Sequence, residues 1–293
     1  MTSPHPFRFG VNMLVPTDRS GWVEKCRKAE EFGYDVVGVA DHLGMPAPFP
    51  ALVLAAEATE RVRLNTFVLN AAFYNPALLA REVAGTDQFT EGRLELGLGA
   101  GYVQQEFETA GIPFERPGRR IDHLARTVTE LERLFADPEY QPRPAQPSGP
   151  PLLLAGRGDR LLTLAARHAK IIGFTGAAAG DGRFPRLDTA EGVDERVAFA
   201  RKQLGDRADD VELNILVQRV AVTTDRRRTL EKLAEEAPDL TAEQLGEVPT
   251  ILAGTPAQLA EQLRERRERF GFSYVTVLED NLEKFAPVIE LLR

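Results

Sequence analysis

The chain has 293 residues, 43% of them hydrophobic and 27% charged, with a formal net charge of −8. That balance supports a globular core and argues against a general nucleic-acid or anionic-membrane binder, either of which needs a basic face. The single cysteine, Cys26, excludes an intrachain disulfide and a cysteine-based zinc site, no apolar run reaches membrane-spanning length, and the start MTSPHPFRFG lacks a basic-then-apolar signal. The reading is a cytoplasmic protein with no nucleic-acid or membrane partner.

In chain order, Phe7 to Asn12 predicts a first strand. Ser20 to Phe32 predicts a helix with Trp22, Cys26 and Ala29 inward and Gly33 as its stop, which makes Cys26 a buried structural thiol rather than a nucleophile. Val36 to Val39 is a second strand, ending at Asp41-His42. A Pro-rich loop (Gly44 to Pro48) and a short helix around Leu52 to Ala58 follow. Val62 to Leu69 is a third strand, leaving through Asn70-Ala71-Ala72-Phe73. Asn75-Pro76 starts a helix, with Asn as cap and Pro at the first position. Leu79, Val83, Thr86 and Phe89 share one face of it, and Glu91-Gly92 ends it. Leu94 to Leu98 is a fourth strand that runs into Gly97, Gly99 and Gly101.

Those glycines allow three readings: the nucleotide-binding turn of a doubly wound sheet, a strand-to-helix loop of a closed barrel, or a strand end packed against another backbone. The rest of the chain decides between the first two. Gln104 to Ala110 and Ile121 to Phe135 are helical, around a polar turn from Pro113 to Arg120; a Pro-rich crossover spans Asp137 to Pro151. Leu152 to Ala155 and Lys170 to Phe174 are strands five and six, with a helix from Leu161 to His168 between them. Residues 176–188 read as a long loop, of the kind that is often functional. Glu191 to Leu204 is a helix, and Val211 to Thr223 a seventh strand. Thr229 to Glu236 is helical. Thr241 with Gln244, and Thr255-Pro256 with Gln258, are helix starts of the capping-box type. Ser273 to Leu278 is an eighth strand, and Asn281 to Leu292 a closing helix. Eight strands, each followed by helix, imply a parallel sheet closed into a (β/α)8 TIM barrel, an α/β fold, with residues 1–293 as one domain. A doubly wound fold would carry its glycines on an early strand, whereas three βα units precede them here.

The active site of such a barrel lies at the C-terminal ends of its strands. That position singles out Asp41-His42, since an imidazole there can shuttle a proton or stack on a flat ring. Gly156-Arg157-Gly158, before a helix starting near Asp159, offers free backbone N–H groups plus Arg157, and in addition Arg160, for a phosphate; the alternative is a tight turn with solvated arginines. Thr175-Gly176, at the end of the sixth strand, is a further candidate cofactor contact. His123 and His168 sit on outer helices as structural residues, and no histidine pair has metal-ligand spacing. No nucleophile elbow or P-loop appears, which suits cofactor chemistry better than hydrolysis.

Four stretches in order resemble the bacterial luciferase-like superfamily of flavin- and deazaflavin-dependent oxidoreductases: EEFGYDVVGVADH, LAREVAGTDQFTEGRLELGLGAGY, PPLLLAGRGDRLLTLAARHAKII and AGTPAQLAEQLRERRERFGFSYVTVL. The chain is most similar to the actinobacterial branch that uses coenzyme F-420, an 8-hydroxy-5-deazaflavin. The resemblance implies a barrel with an insertion, after strand six or seven, and a homodimer. The implied cofactor is F-420, with FMN as the alternative. It also implies that Asp41 and His42 are the family's acidic-His pair, with His42 against cofactor or substrate, and that Phe67-Val68 is a bulged third-strand end, often a non-prolyl cis peptide, supporting the ring. Asn70, Ala100, Gly101 and Gln105 become cofactor contacts, and Gly156, Arg157 and Gly158 the phosphate loop. Tyr102 stands where sugar-phosphate dehydrogenases of the family carry a glutamate, so sugar-phosphate oxidation is not expected, and Tyr102 or His42 becomes the candidate proton donor. The reaction expected is hydride transfer between C5 of F-420 and a small organic substrate. The rivals are an FMN-dependent monooxygenase and a catalytically idle barrel that only binds the cofactor.

Overall fold

The computed structural model describes residues 5–178, 186–237 and 239–293. Eight parallel strands close on themselves: β1 (Arg8–Met13), β2 (Val36–Val39), β3 (Arg63–Thr66), β4 (Leu94–Gly99), β5 (Leu152–Ala155), β6 (Ile171–Phe174), β7 (Glu212–Val217) and β8 (Phe272–Leu278). Each strand pairs with its sequence neighbours, β8 pairs back onto β1 in parallel, and β3 also pairs with β4, which closes the barrel. The expected TIM barrel is therefore the observed fold.

The strand sequences divide their residues between two cores. Outward-facing Phe9, Val11, Met13, Val37 and Val39 join the helices in the large core around the barrel. Inside, a small separate cluster holds Val36, Phe67, Leu153, Ile171 and Tyr274. Burial on both faces explains why these strands read as near-continuous apolar runs rather than as alternation. The barrel floor is ionic. Arg8 spans it, with Nη2 2.5 Å from Glu95 on β4 and Nη1 2.5 Å from Glu212 on β7. Its guanidinium lies 4.6 Å from the centroid of the Tyr274 ring.

The glycines of β4 are a packing requirement. A Cβ on Gly97 would meet the Thr66 carbonyl oxygen at 1.9 Å, and one on Gly99 would meet Val68 at 3.0 Å. Gly101, at φ +70°, would drive a Cβ into the Asn70 side chain at 2.3 Å. They admit the end of the third strand, where the Phe67–Val68 peptide is cis and a short strand, Leu69–Asn70, resumes pairing with β4. Gly97→Ala is accordingly expected to cost about 3 kcal/mol or more, because the obstacle is backbone that cannot move aside. Gly85→Ala, in the helix Pro76–Phe89 with open space around it, is expected to gain up to about 1 kcal/mol. Urea unfolding of the two variants checks the contrast.

Four expectations are corrected. Val211 to Thr223 is not one strand: β7 ends at Val217, the Gln218 N–H turns to the Thr250 carbonyl, and Arg219–Val222 pairs in parallel with Ile251–Gly254 outside the barrel. That pair, with helices Arg226–Glu236 and Ala242–Glu247, forms the insertion after strand seven, which has its own small core of Leu230, Leu240, Leu245, Val248, Ile251 and Ala253. Phe89, expected on the buried face of its helix, is 73% exposed. The closing helix is short, Ala286–Glu290, preceded by a 3-10 turn at Glu279–Asn281. Of the loop expected over 176–188, Ala177–Ala178 pairs with Arg186–Leu187 in antiparallel fashion, and 179–185 lies outside the described residues.

Candidate active site

The C-terminal strand ends bring the Asp41-His42 pair to one side of the barrel mouth. The two side chains work apart. Asp41 Oδ2 accepts the Asn70 N–H at 3.0 Å, and the carboxylate also accepts the Tyr74 hydroxyl. Asp41 thus ties the end of strand two to the end of strand three. His42 turns the other way: its Nδ1 lies 2.9 Å from Glu106 Oε1, and its ring meets Tyr102 edge-on at 5.8 Å between centroids. Tyr102 is 68% exposed, so its phenol is open to the mouth.

Asn70 is buried, and its Oδ1 accepts the Ala72 N–H at 3.2 Å, capping the 3-10 turn Ala71–Phe73. His123 Nε2 holds that turn from outside, 3.0 Å from the Ala71 carbonyl oxygen, the structural role expected for it. Ala100 and Gly101 line the exit of β4, where Arg120 Nε donates to the Gly101 carbonyl at 3.2 Å. Gln105 is exposed on the helix Gln104–Thr109 that follows. Cys26 is fully buried, and burial pushes its thiol up to about 12.

On another side of the mouth, the helix Asp159–His168 starts at Gly158 with no side-chain cap, and a Cβ on Gly158 would meet nothing within 4 Å. Its first N–H groups are open to an anion. Arg157 Nε pairs with Asp188 Oδ2 at 2.8 Å, and the Asp188 N–H donates to the Gly176 carbonyl, which links this loop to the end of β6. The Thr175 carbonyl accepts from Gln218 Nε2 at 2.8 Å, so Thr175 and Gly176 are tied by their backbones. Arg160 does not face the loop: it pairs with Asp122 at 2.5 Å and with the Gly118 carbonyl, which removes it as a phosphate ligand. Glu279, another strand-end acid, is taken up by the backbone N–H groups of Leu14 and Val15 and by Lys25.

One site residue was not read from the sequence, and another was read only as a strand end. Glu106 stands 64 positions from His42, and only its place in a helix directly after the fourth strand marked it as a mouth residue. Asn12, at the end of β1, is 4% exposed, and its Oδ1 is buried beside Gly38 and Phe67 with no partner among the described residues. A buried amide oxygen of this kind calls for a donor from water or a ligand.

Burial lifts the Asp41 carboxyl above the usual carboxylate range. The folded chain then holds that proton more tightly than the unfolded chain. The group's contribution favours folding at low pH and is lost as pH rises through the folded value. Asp41→Asn keeps an acceptor for the Asn70 N–H. It is expected to match or exceed wild-type thermal stability at neutral pH, with the difference closing below about pH 4. Melting curves of both proteins across pH check this, and a large loss of Tm in the variant at neutral pH contradicts it.

Comparison with known proteins identifies the family and the fold. A protein described as F-420-dependent glucose-6-phosphate dehydrogenase from Intrasporangium calvum is 27% identical over 301 residues, covering 87% of each chain. Among solved structures, an F-420-dependent secondary alcohol dehydrogenase in complex with an F-420-acetone adduct superposes with a TM-score of 0.75 at 16% identity, over 99% of this chain and 100% of that one. The monooxygenase RslO1 from Streptomyces bottropensis gives 0.73 at 21% identity, over 97% of each. At these identities the structural likenesses speak for the barrel alone. A family model described as luciferase-like monooxygenase matches residues 5–274, and the chain belongs to that family of oxidoreductases.

Proposed function

We propose that the protein is an F-420-dependent oxidoreductase that moves a hydride between the cofactor and a small organic alcohol or carbonyl compound. The observation that carries the reading is an imidazole held at the barrel mouth by a carboxylate and facing an open phenol, His42 between Glu106 and Tyr102. That is equipment for moving one proton beside a redox cofactor, and it needs no nucleophile. The curated relative from Intrasporangium calvum supports the choice of cofactor.

The residues present fit such a group. The uncapped helix start at Gly158 suits its phosphate, and the Asn12 Oδ1, without a partner among the described residues, suits a ring N–H. When bound, the deazaflavin supplies a hydride acceptor or donor at C5. The chain's part is to bind and to move the proton. Asp41 holds the second and third strand ends together beneath the reacting groups. His42, with Tyr102 beside it, takes the hydroxyl proton of an alcohol or returns it to a carbonyl oxygen. Tyr102 in place of an acid, and the exposed Val15 and Leu43 nearby on the strand-end loops, support a neutral substrate over a sugar phosphate.

The family's description as luciferase-like monooxygenase favours a second reading, FMN-dependent oxygenation. Anaerobic bleaching of oxidised F-420 by a panel of small alcohols tests the first reading. Oxygen uptake coupled to reduced FMN and a substrate, without F-420 bleaching, would establish the second.

A further inference from the structure

We infer that Glu106 is a positioning residue whose carboxylate decides which nitrogen of His42 faces the mouth. A carboxylate can only accept, so the 2.9 Å contact requires the proton on His42 Nδ1. Nε2 is then left with its lone pair, free to accept a proton. The neighbouring acid cannot do this work, because Asp41 is engaged by the Asn70 N–H and the Tyr74 hydroxyl.

Glu106 is also spare for it structurally. The helix Gln104–Thr109 is anchored by the next residue, Phe107, which is fully buried. The Phe107 ring packs 5.3 Å from Phe73 and 5.0 Å from Phe114 between centroids. The Glu106 side chain makes its contact with His42 while 14% exposed, against 28% for His42, so the pair is shielded on the carboxylate side and open on the imidazole side.

The chemical consequence rests on the proposed function. In the alcohol-to-carbonyl direction the substrate O–H proton passes to Nε2. The C–H hydride, with its two electrons, passes to the oxidised deazaflavin, and the substrate is left with a C=O bond. Glu106 balances the imidazolium so formed and keeps the ring from turning its protonated nitrogen toward the substrate beforehand.

The test is 15N NMR of histidine-labelled protein without cofactor, at about pH 9, above the ordinary imidazole pKa of about 6.5. His42→Ala assigns the resonances. The wild type is expected to show His42 protonated at Nδ1. Glu106→Ala, and Glu106→Met as a size-matched variant that keeps the helix filled, are expected to lose that preference. The same variants are expected to lower kcat about 100-fold, with the cofactor Kd changed less than about threefold. A wild-type His42 protonated at Nε2, or an unchanged tautomer in both variants, overturns the inference. Because the NMR arm uses no cofactor, a wrong choice between F-420 and FMN shows only in the turnover arm.

Discussion

His42→Ala is expected to lower turnover by about 10²- to 10⁴-fold, the usual range for removing a positioned general acid or base. The expectation follows from where the ring sits. His42 projects from the end of β2 at the barrel mouth, with Nδ1 bound to Glu106 and its edge against Tyr102. The side chain is 28% exposed and no part of the packed interior, so its loss leaves the barrel wall intact. The cofactor Kd and the melting temperature are expected to change little, which assigns the loss to kcat. His42→Gln, which can donate or accept a hydrogen bond but cannot carry the proton, is expected to be nearly as impaired. Steady-state kinetics with saturating cofactor checks both variants, and less than a threefold change in either would remove His42 from proton transfer.

Arg8→Met is expected to destabilise the protein by about 3–5 kcal/mol at neutral pH, the cost of stripping a buried carboxylate of its partner. Arg8 is the cation between Glu95 and Glu212, both buried at the barrel floor. Glu95 keeps Arg63, whose Nε lies 2.6 Å from it. Glu212 is left with the Ser273 hydroxyl at 3.5 Å, the like charge of Glu95 and the His5 imidazole nearby. Burial already lifts the Glu212 carboxyl above its usual range. In the variant the folded protein therefore gains stability from protonating it. The penalty is expected to shrink as pH falls. Arg8→Met combined with Glu212→Gln is expected to recover part of the loss, since the buried charge goes with its partner. Urea unfolding at two pH values measures all three; equal stability of Arg8→Met and wild type would mean that the floor network contributes nothing.

The barrel was legible because its signals are local. Val36–Val39 and Leu152–Ala155 are short apolar runs bounded by polar turns, and both are strands over those same residues. The capping box at Thr255 forms as its spacing requires, with the Thr255 N–H on Gln258 Oε1 at 2.9 Å and the Gln258 N–H on Thr255 Oγ1 at 3.4 Å. What failed depended on partners far along the chain. The alternation from Val211 to Thr223 is continuous in sequence, but Arg219–Val222 finds a partner in Ile251–Gly254, four residues too short to announce themselves. Phe89 fits the helical period of its neighbours, yet it falls at the helix end, past the ground its helix covers.

The site divides the same way. Asp41 and His42 were found by position at a strand end. Their division of labour was not, because an acid next to a histidine invites a pair, whereas Asp41 is needed by the Asn70 backbone and the imidazole goes to Glu106. The glycines of β4 carried a functional expectation from resemblance. Their immediate physical cause is the backbone of strand three at Gly97 and the Asn70 side chain at Gly101. Arg157 was read as free for a phosphate, and the fold pairs it with Asp188, so an anion must compete for it.

The measurement that tests the central claim most directly is a fluorescence titration of the protein with oxidised F-420 and, separately, with FMN at physiological salt. The account predicts saturable binding of F-420 at least ten times tighter than that of FMN, weakened by a Gly158→Glu substitution that places a like charge at the uncapped helix start. Tighter binding of FMN, or binding of neither, would contradict it.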